Sequence, residues 1–327
     1  MINRERKRDG DGPVSSISPS QPPCPADPHS NVFRSDYGQR RVHPNYQSRP
    51  MAARYIELLR KALLNETCLE AEVAYFYARS CATGDKEFEA SLAYDVRATL
   101  PDLYEQVAEA RRIGRHLDRD LRKVGFSATM IGRRRMENLE SCITDVVDHD
   151  VPGDLIECGV WRGGATIFMR GVLEALDEHD RLVWVADSFA GLPAPSRRRR
   201  EANLSADKFP QLAVDIATVK ANFARFDLLD ERVRFLEGWF KDTLPSAPIE
   251  SLSVLRLDGD YYDSTLDPLN SLYDKVSVGG YIIIDDYSLI PSCRAAVDKF
   301  RKRRGIRTPL EPVDADCVFW KKSADGS

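Results

Sequence analysis

Long apolar runs are missing from this 327-residue chain. None approaches the roughly 18–20 residues that span a bilayer, so no membrane partner is expected. Paired cysteine motifs are missing too. The seven cysteines stand at 24, 68, 81, 142, 158, 293 and 317, an odd number with no CxxC. That argues against a disulfide framework or a zinc site and for a reducing compartment. The charged start MINRERKRDGDG is not followed by an apolar stretch, so no secretory signal is read and a cytoplasmic location is expected. A basic excess is absent, the formal net charge being −4, which excludes a general nucleic-acid binder. What is present, 43% hydrophobic and 30% charged residues, suffices for a sizeable core.

Residues 1–50 differ from the rest. They hold eight of the 19 prolines and almost no periodic apolar residues, and their charge is positive where the remainder is negative. Such a stretch buries too little apolar surface to offset its chain entropy, and it is read as a disordered tail. Residues 51–128 read as a helical cap, or oligomer region, of a homo-oligomer. Tyr55, Leu58, Leu59, Ala62 and Leu63 share one helical face, Glu70–Cys81 forms a second helix, and Pro101 opens a third.

From 150 onward the pattern alternates. DLIEC (154–158), RLVWVAD (181–187), RVRFLEG (232–238), LSVLRLD (252–258) and GYIIIDD (280–286) read as strands. Helices are expected at 165–175, 211–227, 264–275 and 292–303, and a last, antiparallel strand ends in CVFWKK. Near-continuous apolar strands alternating with helices predict an α/β fold, a doubly wound, mostly parallel sheet covered on both faces.

Each of the five strands ends in an acid: Glu157, Asp187, Glu237, Asp258 and Asp285–Asp286. One such acid is commonly a helix N-cap. Five together line the carboxyl edge, where open parallel sheets bind ligands. Gly159, Gly163 and Gly164 occupy the first strand–helix turn. Their spacing, G-x-x-x-G-G, is neither the dinucleotide motif nor the phosphate loop. A cofactor with a sugar but no phosphate fits better, with Asp187 placed to accept from ribose hydroxyls. Asp258 and Asp285 stand 27 residues apart, one strand–helix–strand excursion, so their strand ends are neighbours. Asp258, Asp285 and Asp286 would repel one another, and no Lys, His or Cys in the motif balances them. A hard divalent cation is the simplest neutraliser, Mg²⁺ before Ca²⁺ or Mn²⁺.

DLIECGVWRGGATIFMRGVL, DSFAGLP, LRLDGDYYDSTLDPL, VGGYIIIDDY and, upstream, TMIGRRRMENL resemble the macrocin O-methyltransferase family of natural-product sugar methyltransferases. The likeness runs from about 51 to 321 and is densest over 129–300. It implies a class I methyltransferase, Rossmann-like domain over 129–327, S-adenosylmethionine and Mg²⁺ as cofactors, and a small-molecule hydroxyl acceptor. By position it implies Asp258, Asp285 and Asp286 as metal ligands. Glu157, Gly159, Val160 and Gly163 match the cofactor loop, Asp187 and Ser188 the ribose side, and Gly238 and Trp239 the adenine edge, with Glu237 and Phe240 beside them. Thr129 and Met130 match a segment over the methionine end. Small catechol methyltransferases have a Lys three residues after the first metal ligand. Here Tyr261 stands there, so a carboxylate, Asp258 or Asp260, is the expected base. Two other readings are weighed. A catechol-like enzyme acting on an aromatic diol is disfavoured by the missing Lys. A noncatalytic protein on a retired methyltransferase fold is disfavoured by the retained carboxylates. The run Arg197–Arg200 beside DSFAGLP reads as a solvated face or as a contact to an anionic acceptor.

Overall fold

The computed structural model describes residues 50–84, 87–113, 125–194 and 209–324. The tail read at 1–50, Pro50 apart, and the run Arg197–Arg200 lie outside them.

The chain begins with helix α1 (Pro50–Leu63), then α2 (Leu69–Thr83), the short α3 (Ala90–Tyr94) and α4 (Val96–Thr99), α5 (Pro101–Ile113) and α6 (Arg133–Asp148). The alternating part follows: β1 (Asp154–Cys158), α7 (Gly164–Ala175), β2 (Val183–Asp187), α8 (Ile216–Arg225), β3 (Val233–Glu237), α9 (Phe240–Thr243), β4 (Leu252–Leu257), α10 (Tyr262–Leu272), β5 (Val276–Ile284), α11 (Pro291–Arg304), β6 (Glu311–Pro312) and β7 (Val318–Lys321). The sheet order is β3-β2-β1-β4-β5-β7-β6. The first five strands are parallel, and β7 runs antiparallel to both β5 and β6. The strand order reverses between β1 and β4, which opens a crevice at their carboxyl ends.

Strand alternation separates two cores. Leu155, Val185, Val254 and Ile283 face one side, under α1, α6, α7 and α8. Ile156, Trp184, Leu255 and Ile284 face the other, under α10 and α11. Burial on both faces is why these strands read as unbroken apolar runs.

Element positions differ from the sequence reading where local chemistry intervenes. α8 starts at Ile216 rather than 211, because Asp215 caps it and accepts from Thr218 N at 2.8 Å. β5 starts at Val276, paired with Leu252, and a register shift precedes its pairing of Tyr281 with Val254. α6 has no counterpart in the sequence reading. Its apolar face, Met136, Leu139, Ile143 and Val146, is interleaved with charged residues.

On α1 the buried face is Ile56, Leu59 and Leu63, while Tyr55 and Leu58 stay exposed. The periodicity fits either face, and packing against α7 chooses. Gly171 leaves the space that Leu59 fills, since a Cβ there would lie 2.2 Å from Leu59 Cδ2. Arg60 is buried beside it and pairs with Glu57 and Glu140. The residues read as a helical cap thus divide. α1 shares the core of the sheet, whereas Leu69, Val73, Phe76, Val96 and Val107 form a cluster of their own.

Candidate active site

A cavity of about 510 Å³ opens at the carboxyl edge of the sheet. Thr129, Met130, Glu157, Gly159, Val160, Asp187, Ser188, Gly238, Trp239, Asp258 and Asp260 line it. Phe240 does so too, whereas Glu237 is exposed outside it. Gly163, Asp285 and Asp286 are not among its lining residues. Gly163 caps α7 with a φ of 85°, and a Cβ there would meet Val219 of α8 at 2.8 Å. Gly159, at φ 93°, leaves room for the Asp258 carbonyl, which a Cβ would approach to 1.9 Å. Both glycines therefore serve contacts within the protein first, by letting strand ends and a helix meet closely.

The β1–α7 turn is held from three sides. Asp187 Oδ2 accepts from Val160 N at 2.7 Å and Trp161 N at 3.4 Å, and Oδ1 accepts from Phe189 N at 2.8 Å. The acid read as a ribose acceptor thus also fastens β2 to the turn. Burial raises its pKa, against the pull of those amide donors. Arg162 donates to the carbonyls of Gly125 and Ser127, at 2.8 and 2.9 Å. Gly164 N donates to the Ala128 carbonyl at 3.0 Å, which places Thr129 and Met130 over the cavity. Trp161, at a φ of 49° that bulky residues rarely adopt, donates through its indole to the Gln211 carbonyl at 3.0 Å.

Alternation explains the charged cluster. Arg256 is the register partner of Glu157 on β1 and of Ile283 on β5. Asp258 and Asp285 lie two residues further along their strands, hence on the same face. Arg256 Nη1 donates to Glu157 Oε1 at 2.6 Å and to Asp258 Oδ2 at 3.0 Å, and Nη2 donates to Asp285 Oδ1. Arg135 of α6 donates to the other oxygen of Asp285 and, at 2.7 Å, to Asp314. The motif offers no Lys, His or Cys to balance these acids, but two arginines do so in part, one carried on the strand itself. The available signal was a charged residue inside the apolar run LSVLRLD, two positions before Asp258.

The compensation is incomplete. Asp258, Asp285 and Asp286 each bring a carboxylate oxygen within 4.8 Å of the others. Asp286 Oδ2 and Glu157 Oε2 are buried without a hydrogen-bond partner among the described residues. Burial, then the Asp285 charge, pushes Asp258 up to about 6. Burial, then Asp258 and Asp285, pushes Asp260 up to about 8. Burial takes Glu157 to about 8 despite Arg256. Asp286 stands well above the ordinary carboxylate range, for burial and for the acids around it. Under-neutralised oxygen donors with an unpartnered buried atom fit a hard divalent cation. The unpartnered oxygen of Glu157, on a residue that lines the cavity, fits an amine donor. Asp260 holds a φ of 59°, a strained conformation of the kind found at functional turns. Lys241, Asp263 and Asp267 also line the cavity and were not read as site residues from the sequence.

Among the described residues no helix is long and apolar enough to cross a membrane. The sequence profile of the macrocin-O-methyltransferase (TylF) family matches residues 52–322. Demethyldecarbamoylnovobiocin O-methyltransferase of Streptomyces niveus is 52% identical over 202 residues, 60% of this chain and 76% of that one. Mycinamicin III 3''-O-methyltransferase of Micromonospora griseorubida is 49% identical over 201 residues, 60% of this chain and 79% of that one. Among solved structures, the O-methyltransferase NovP matches with a TM-score of 0.68 at 41% identity, covering 83% of this chain and 99% of that one.

Proposed function

The chain belongs to the macrocin O-methyltransferase family and is an O-methyltransferase, and we propose that it methylates a sugar hydroxyl of a natural product using S-adenosylmethionine and Mg²⁺. By their names the relatives reported above methylate demethyldecarbamoylnovobiocin and mycinamicin III, which supports a natural-product acceptor. The observation that carries the proposal is the convergence of Asp258, Asp285 and Asp286 beside a cavity bounded by the β1–α7 turn.

S-adenosylmethionine supplies a methyl group already activated by its sulfonium. In this reading Glu157, with its unpartnered oxygen, takes the amino group of the cofactor. Gly159, Val160 and Gly163 shape the turn, Asp187 and Ser188 the ribose side, and Gly238 and Trp239 the adenine edge. Thr129 and Met130 close over the methionine end. Asp258, Asp285 and Asp286 hold the cation, which supplies the positive charge that acidifies a hydroxyl. Asp260 or Asp258 accepts the hydroxyl proton. Both line the cavity and are partly exposed to it, where a carboxylate can meet an acceptor hydroxyl and act as a general base. The chain's contribution is orientation and proton removal.

The test is incubation with S-adenosylmethionine and a glycosylated acceptor, with mass spectrometry reading the gain of one methyl group. EDTA should abolish turnover and Mg²⁺ should restore it. Full activity in EDTA would overturn the metal assignment. Asp260→Asn should slow methyl transfer by about a hundredfold, a typical loss for a general base, while calorimetry shows unchanged affinity for S-adenosylhomocysteine. Wild-type turnover in that variant would move the base to Asp258.

A further inference from the structure

Among the described residues, Arg256 is the one guanidinium that touches three of the acids at the strand ends. It is 1% exposed, next to last in a strand whose every residue is buried. A lone charge in such a position is strongly disfavoured, so acids able to accept from it must lie close by. They come from three adjacent strands: Glu157 on β1, Asp258 after β4 and Asp285 after β5. Asp285 is shared with Arg135, which in turn is anchored by Asp314 in the β6–β7 turn. The result is an alternating row of acids and guanidiniums, Asp314–Arg135–Asp285–Arg256–Glu157, beneath the edge that holds the candidate cation ligands.

We infer that Arg256, seconded by Arg135, is a positioning residue that acts as an internal counter-cation. It keeps Asp258 and Asp285 converged when no metal is bound, and it moderates the affinity of the site for a divalent cation. This inference rests on the metal reading above. Its physics is direct. Two of the acids that would ligate the cation already neutralise a fixed positive charge beside it. The cation and the guanidinium draw on the same oxygens and repel each other, so removing the guanidinium raises the attraction for metal. Orientation is lost at the same time, because only a planar fork with several donors spans acids on three strands. The bond to Glu157 extends that orientation to the cofactor turn.

The prediction separates charge from structure. Arg256→Met should lower the melting temperature of the metal-free protein, and Mg²⁺ should raise it by more degrees than in the wild type. Mn²⁺ titration followed by electron paramagnetic resonance should show binding tightened roughly tenfold, the order that one unit charge commands at short range in a partly solvated site. Turnover should fall in the same variant. Arg256→Lys keeps the charge but not the fork. It should hold Mn²⁺ within about threefold of the wild type, yet still lose turnover. Arg135 reaches one candidate cation ligand, Asp285, besides Asp314 and Asp316, so Arg135→Met should tighten Mn²⁺ in the same direction by less and carries the test if Arg256→Met does not fold. Unchanged or weaker Mn²⁺ binding in the methionine variants would overturn the inference and leave Arg256 merely structural. Tightening in Arg256→Lys equal to that in Arg256→Met would overturn it too. Absence of any Mg²⁺ or Mn²⁺ response in the wild type would instead overturn the metal reading.

Discussion

At the scale of the residue, acids that look alike in the sequence hold different positions. Asp187 has both oxygens engaged by backbone amides of the turn and of its own loop. Asp286 has an oxygen with no partner among the described residues. Asp285 is gripped by two guanidiniums. The sequence shows five strand-terminal acids but not this division of labour, because a strand end dictates which edge an acid occupies and not which donors reach it. Asp187→Ala makes the difference measurable. It frees the amides of Val160 and Trp161, so the turn loses its anchor to β2. Affinity for S-adenosylhomocysteine should fall about tenfold in calorimetry, the order expected for charge-assisted hydrogen bonds lost at a site. Unchanged affinity would remove Asp187 from the cofactor side altogether.

At the scale of the element, capping and ion pairing decide what periodicity leaves open. Asp215 sets where α8 begins. Gly171 selects the face of α1 that turns inward. Asp230, just before β3, ties that strand to α7 by accepting from Arg170 Nη2 at 2.6 Å, and Arg232 adds a second donor at 2.8 Å. Burial alone would raise the Asp230 carboxyl, but these two arginines override it and bring it down to about 2. Its folded value therefore lies below the unfolded value of roughly 3.9. The stabilisation is fully present above about pH 4 and is lost as pH falls through 4 toward 2. Asp230→Asn should be less stable than the wild type at neutral pH, and the gap in urea midpoint should close as pH approaches 2. A gap independent of pH over that range would show that the ion pair carries none of the difference.

At the scale of the whole molecule, the five parallel strands, the edge that carries the acids and the proline-rich start are legible in the sequence. Deletion of residues 1–45 follows from the last of these. The melting temperature should stay within about 2 °C, the shift that about 1 kcal/mol produces in a chain of this size, and cofactor affinity should be unchanged. A large drop would show that the segment packs on the rest. What the sequence by itself determined is local in origin. Apolar runs mark buried strands, acids and glycines punctuate their ends, and the motifs LRLDGD and GYIIIDD put carboxylates at neighbouring strand ends. What only the tertiary structure decided depends on order and register. The reversal between β1 and β4 brings Glu157 against Arg256, 99 residues away, and α6 delivers Arg135 to Asp285 across 150 residues. Periodicity and propensity sense only a few neighbours along the chain. Which distant charges meet is set by which strands pair and which helix face packs over them, because those contacts alone determine the burial that makes a charge need its partner.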